Sequence, residues 1–166
     1  TTGSANSAFG QNALASNTSG SPNDAFGYQA LYANTTGGYN VAVGYQSLYS
    51  NTIGDSNVVV GPYAANALTT GNSNVAIGRA ALLTATTAIQ NVAVGRDALR
   101  VNTASYNTAV GYQVLASNTT GTPNDAFGYQ ALQSNTTGSN NVAVGSQTLY
   151  SNTTGTNNVA IGTSAL

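Results

Sequence analysis

An all-β fold, a parallel β-solenoid or β-roll of ten coils, follows from three regularities in this 166-residue chain. Glycine returns at Gly10, Gly27, Gly44, Gly61, Gly78, Gly95, Gly111, Gly128, Gly145 and Gly162, eight steps of 17 residues and one of 16. Asparagine stands four residues before each glycine, at Asn6, Asn23, Asn40, Asn57, Asn74, Asn91, Asn107, Asn124, Asn141 and Asn158. A bulky apolar residue directly precedes each glycine: Phe9, Phe26, Val43, Val60, Ile77, Val94, Val110, Phe127, Val144 and Ile161. A fixed period of this length marks a repeat architecture, in which each unit buries its apolar face only by stacking on its neighbours. The strict apolar columns argue against disorder, despite a composition rich in Asn, Thr, Ser and Gly.

The run before each glycine, Val41-Ala42-Val43 in the third coil, is rich in β-branched residues and bounded by turn formers. It reads as a short strand. Stacking places like residues one above another, so the strands pair in parallel and in register. Asparagine at a fixed corner then forms a ladder of side-chain amides, each bonding the coils above and below. Glycine at the corner supplies positive φ or room for close backbone approach. Side chains alternate between the two faces of a strand, yet here both faces are apolar, as in a strand buried on both sides. One face belongs to the coil's own interior, and small Ala42 suits a narrow one. The other needs a cover that so short a coil lacks, which points to a partner chain.

Leucine follows four residues after most glycines, with Ala65 the exception, and an Asn-Thr-Thr-Gly corner such as Asn34 to Gly37 comes next. The intervening segment (Tyr45-Gln46-Ser47-Leu48-Tyr49-Ser50-Asn51) does not alternate. The expectation for it is one helical or 3₁₀ turn closing the coil, with an irregular second strand as the alternative. Ten coils at about 4.8 Å each would make a rod of roughly 45–50 Å.

Coils one to three are regular. The fourth has Pro62 after Gly61, Ala65 for leucine and Leu68 in the usual asparagine place; the fifth has Ala85-Thr86-Thr87-Ala88 at its corner. The sixth carries the one-residue deletion, at Thr103-Ala104-Ser105-Tyr106. Beyond it the pattern of Ser16 to Thr52 returns at Ser117 to Thr153, an offset of 101 residues that suggests duplication of a block of coils. Residues 1–166 read as one repeat domain. The chain opens and closes within a repeat and shows no capping coil, as expected of a piece of a longer fibrous protein or of a subunit whose ends stack head to tail.

Composition narrows the function. The chain has 3 arginines, 4 aspartates and no Lys, Glu, His, Cys, Met or Trp. With 4% charged residues it cannot bind nucleic acid electrostatically. No apolar run approaches bilayer length, so membrane insertion is not expected. Without His, Cys, Lys or Glu, no motif places a base beside a Ser, Thr or Tyr nucleophile, so no enzyme and no cofactor is expected. An uncharged polar surface suits an extracellular structural repeat.

Few residues stand out as sites. Asp24 and Asp125 lie three before the glycine, where most other coils have Val, and each brings one carboxylate, too few for a metal site. A solvated turn or cap is the expected role. Tyr28, Tyr45, Tyr112 and Tyr129 share the column after the glycine, where stacked rings would pack together or bind sugar. Arg79 and Arg96 occupy that same column on adjacent coils, about 4.8 Å apart if stacked. With Asp97 and Arg100 they form either an exposed ion-pair cluster, the preferred reading, or an anion site. Five sequons, at Asn17, Asn34, Asn118, Asn135 and Asn152, arise from the Asn-Thr-Thr or Asn-Thr-Ser corner.

The repeat Asn-Val-Ala-Val-Gly-Tyr-Gln-Ser-Leu (40–48) resembles the head repeats of trimeric autotransporter adhesins and the related longer repeats of phage tail fibres. Val75-Ala76-Ile77-Gly78 and Val159-Ala160-Ile161-Gly162 match the adhesin core, while the period of 17 departs from the shorter adhesin-head period. The resemblance implies a homotrimer of β-rolls serving as a structural, adhesive segment on a cell surface or virion. A cell-surface glycan or protein receptor is the expected partner. A head-to-tail filament subunit is an alternative role. Ice binding by the repeated corner threonines (Thr35-Thr36, Thr136-Thr137) is another, although the fourth to sixth coils are expected to interrupt that ladder.

Overall fold

The computed structural model describes residues 2–166. Its strands are β1 (Ser7–Phe9), β2 (Asn23–Phe26), β3 (Asn40–Val43), β4 (Val58–Val60), β5 (Val75–Ile77), β6 (Val92–Val94), β7 (Thr108–Val110), β8 (Asn124–Phe127), β9 (Asn141–Val144) and β10 (Val159–Ile161). They form one ten-stranded sheet in chain order. Every neighbouring pair is parallel and in register, so Ala42 sits beside Ala25 on one side and Val59 on the other. This is an all-β parallel solenoid with one short strand per coil.

The interior is narrow, and the alanine column faces it. Ala25, Ala42, Ala76, Ala93, Ala109, Ala126 and Ala143 are fully buried, while the flanking Val41, Val43, Val92 and Val94 remain only half-buried. Against the alanines pack the leucines Leu31, Leu48, Leu82, Leu99, Leu115 and Leu132, all in one core cluster. A small residue must face a large one because nothing else separates the strand from the returning chain. The fourth coil keeps the total volume while exchanging places: Val59 replaces alanine, Ala65 replaces leucine and Leu68 replaces asparagine, all three fully buried. Swaps that conserve volume in this way are the ones cores tolerate.

The segment after the glycine is not helical, which corrects the expected helical or 3₁₀ turn. No helix forms among the described residues. Two successive four-residue turns close the coil instead, bonded Ser47 N–H to Gly44 O at 3.4 Å and Asn51 N–H to Leu48 O at 3.4 Å. Gln46 and Leu48 have φ near +50°, and their equivalents in other coils do likewise. Gln46 is the third residue of the first turn, where positive φ is the mark of type II, while Leu48 lies at the junction of the two turns. The left-handed residues turn their N–H groups outward along the stacking axis, so helical bonding cannot propagate. Gln46 N–H donates to Tyr28 O in the coil below at 2.9 Å, and Leu48 N–H donates to Ala64 O in the coil above at 3.0 Å. Bonding between coils outcompetes bonding along the chain.

Two asparagine ladders run through the interior. In the first, Asn40 Nδ2 donates to Asn23 Oδ1 below (3.1 Å) and to Gly54 O above (2.8 Å). Its Oδ1 accepts from the backbone N–H (3.0 Å) and Nδ2 (3.1 Å) of Asn57. Every bonding group of that buried amide is used, which makes a polar side chain tolerable in a core. The second ladder comes from the Asn-Thr-Thr-Gly corner: Asn34 Nδ2 donates to Asn17 Oδ1 and to Gly37 O, both at 2.9 Å. The corner glycines are required by closeness, since a Cβ on Gly37 would lie 2.4 Å from Gly54 O. The strand-end glycines are required twice over. Gly44 has φ of +130°, and a Cβ there would meet the Gly61 carbonyl at 2.8 Å.

The deletion in the sixth coil leaves the sheet undisturbed, with Val92 still beside Thr108 and Ala93 beside Ala109. The corner absorbs it. Asn107 keeps its backbone bond to Asn91 Oδ1 at 2.9 Å, but its Nδ2 turns aside to Ser105 O at 3.2 Å. One rung of the first side-chain ladder is lost there.

Candidate functional site

Two surfaces remain once the interior is assigned. The first is the outer face of the sheet. Its two columns are the residues one and three before the glycine. All ten of the former are apolar, and six of the latter are valine (Val41, Val58, Val75, Val92, Val142, Val159). Phe26, Val58, Ile77, Phe127 and Val144 are each about two-fifths exposed, between 38% and 41%. The apolar columns run unbroken from Val41 to Val94 across β3 to β6. Asp24 and Asp125 interrupt the strip. They sit on this outer face, within β2 and β8, and not in the turns expected for them. Among the described residues no group of three or more His, Cys, Asp or Glu could hold a metal ion.

The second surface is the edge formed by the residue after each glycine. The stacking rise brings Tyr28 and Tyr45 to 5.2 Å between ring centroids, with planes 13° apart. Tyr112 and Tyr129 stack likewise at 5.3 Å and 10°. Between these pairs the column passes through Pro62, Arg79 and Arg96. Tyr63, one residue along, meets Tyr45 edge-on at 5.2 Å, and Arg96 lies over Tyr112 with its guanidinium carbon 5.8 Å from the ring centroid. Desolvation against the packed rings, then the neighbouring Tyr63 and Tyr28, hold the Tyr45 phenol above its ordinary pKa. Within each stacked pair the rings cover one another's inner faces, and among the described residues the outer faces of Tyr28 and Tyr129 have no ring against them.

Of the expected ion-pair cluster only one pair forms, Arg96 Nε to Asp97 Oδ2 at 3.2 Å. Asp97 is buried and Arg96 more than half exposed. Among the described residues Arg79 and Arg100 pair with no carboxylate.

Several features had no counterpart in the sequence reading. The corner asparagines carry the local pattern of polar surface turns and sequons, yet they are interior: Asn34, Asn51, Asn102, Asn118 and Asn135 are fully buried. Their equal spacing, with a glycine or alanine two or three residues on, was the available signal. In Asn34, Asn118, Asn135 and Asn152 the amide nitrogen donates to both the coil below and its own corner carbonyl, so the folded chain offers these sequons no free nitrogen. Glutamines form a third ladder beside the tyrosine column, Gln46 to Gln29 at 2.7 Å and Gln130 to Gln113 at 3.0 Å. The first corner threonine runs without a break through Thr69, Thr86 and Thr103, contrary to the expected interruption; the second column is broken, by Ser19, Ile53 and Ala104. Most of the first set are already committed, as Thr35 and Thr52 are, their hydroxyls donating to the next coil's carbonyl at 2.9 and 3.2 Å.

Comparison with known proteins returns no match: no family model, no curated protein and no solved structure is similar to this chain. Function is therefore read from these two surfaces.

Proposed function

We propose that this chain is a structural, adhesive segment of an extracellular fibre, of the kind found in phage tail fibres and bacterial surface adhesins, built from three copies. The observation that carries the proposal is the outer sheet face. An isolated rod leaves two apolar columns wet along their length, and burying a half-exposed valine, isoleucine or phenylalanine contributes roughly 1 kcal/mol. Summed over the strip this is comparable to or larger than the association cost of about 4–15 kcal/mol. Three rods around an axis each cover both flanks of the strip, whereas two flat faces leave its margins open. Apart from Asp24 and Asp125 the strip carries no charge, so repulsion between the copies is confined to those two coils. The uncharged ladders make the rod itself, and the edge columns face outward for a receptor.

Light scattering at micromolar concentration tests this. Three times the 16.6 kDa chain mass is expected, and conversion to monomer by Val75→Asp combined with Ile77→Asp, both outward residues. A persistent wild-type monomer overturns the trimeric fibre. The unbroken threonine column supports the weaker alternative of ice binding, and thermal hysteresis of the purified chain would promote it.

A further inference from the structure

We infer that the arginine-centred stretch of the edge column, Arg79 and Arg96 with Tyr112, binds a linear acidic polysaccharide carrying one carboxylate per sugar. This names a ligand class for the adhesive role proposed above and rests on that reading for its biological setting, though not for its chemistry. All three cations of the chain fall within residues 79–100, although the chain as a whole carries a net charge of −1. Three of the four carboxylates are elsewhere. Asp24 and Asp125 lie on the outer sheet face, and Asp55 accepts the Gly38 N–H at a corner at 2.6 Å. Only Asp97 is near, and its bond to Arg96 Nε leaves the terminal nitrogens of that guanidinium unengaged.

Arg96 is also held from the side by the Tyr112 ring, so part of the ordering that binding would require is already present. Arg79 stands one coil below, and the link is direct: Asp97 N–H donates to Arg79 O at 3.0 Å. The two arginines therefore spring from backbone positions about one strand spacing, about 4.8 Å, apart, close to the length of one sugar in an extended polysaccharide. A chain of uronic acids laid along the column would bring a carboxylate within reach of each of the two long guanidinium side chains, each a charge-assisted pairing. Beyond them the Tyr112–Tyr129 stack and the glutamine ladder Gln113–Gln130 offer ring edges and amides to sugar hydroxyls. Nucleic acid fits less well, since its affinity depends on neutralising many phosphates and here only three cations exist.

Isothermal titration with a galacturonic acid hexamer at low ionic strength tests the site. Binding is expected to weaken as salt rises. It should fall by about tenfold or more in Arg79→Gln with Arg96→Gln, with folding checked by circular dichroism because Arg96→Gln leaves buried Asp97 without its cation. It should also fall in Arg79→Gln alone, which breaks no ion pair. A neutral galactose hexamer should not bind. No wild-type binding to the acidic hexamer, equal binding by the double variant, or equal binding of a single-stranded oligonucleotide overturns the inference. Oligomeric mass, read separately, keeps the two proposals apart: a trimer that ignores the hexamer loses only the site, and a monomer that binds it loses only the fibre.

Discussion

Removing one amide from the first ladder should cost far more at Asn57 than removing one from the second ladder at Asn51, although both are fully buried. Asn57 Nδ2 donates to Asn40 Oδ1 at 3.1 Å and to Gly71 O at 2.9 Å. Its Oδ1 accepts from the backbone N–H of Asn74 at 3.0 Å and from Asn74 Nδ2 at 3.1 Å. Most corner carbonyls receive two asparagine amides, as Gly54 O does from Asn40 and Asn51. Gly71 O receives only that of Asn57, because Leu68 stands where the second donor would be. Asn57→Ala thus strands Gly71 O and the Asn74 N–H inside the core. At about 1–3 kcal/mol per stranded group the loss is roughly 2–6 kcal/mol. Asn51→Ala is different. It strands Asn34 Oδ1, but it also removes the one buried side-chain atom without a partner among the described residues, Asn51 Oδ1, and Gly54 O keeps Asn40. The two changes nearly cancel, leaving a loss within about 1.5 kcal/mol. Urea unfolding of both variants, adjacent in the stack and so in one cooperative unit, measures the difference by linear extrapolation. Exchange of the Asn74 amide should accelerate only in Asn57→Ala. Equal losses, within about 0.5 kcal/mol, would refute the reasoning.

Two further outcomes are expected. Leu68→Asn satisfies Asn51 Oδ1 but moves the orphan oxygen to position 68, opposite Ala85, so Leu68→Asn with Ala85→Asn should be more stable than the sum of the single changes. A double-mutant cycle should show favourable coupling of about 1 kcal/mol or more, and additivity would count against a continuous ladder. Chain secreted from a glycosylating host should carry no glycan at Asn34, Asn118 or Asn135 in its folded fraction; mass spectrometry finding one there would overturn their interior placement.

Much was legible from the chain alone because a solenoid is nearly one-dimensional. A spacing of 17 residues from Asn40 to Asn57 and from Gly44 to Gly61 is also a spatial adjacency, so the parallel register and the first amide ladder could be read directly. Periodicity also located the deletion between Gly95 and Gly111 and the departures at Ala65 and Leu68. What spacing cannot carry is direction across the coil. Val41-Ala42-Val43 alternates identically whichever face is interior, and only packing against Leu48 turns the alanine inward and leaves the valines outside. The closing segment departs from the expected helical or 3₁₀ turn for a related reason. Helix propensity reports bonds along the chain, while Gln46 and Leu48 are held left-handed by bonds to the coils below and above. Likewise Asn34 carries the local signature of a surface turn. It becomes a core residue because Asn17 and Asn51, 17 residues away on either side, supply the partners that its own neighbours do not.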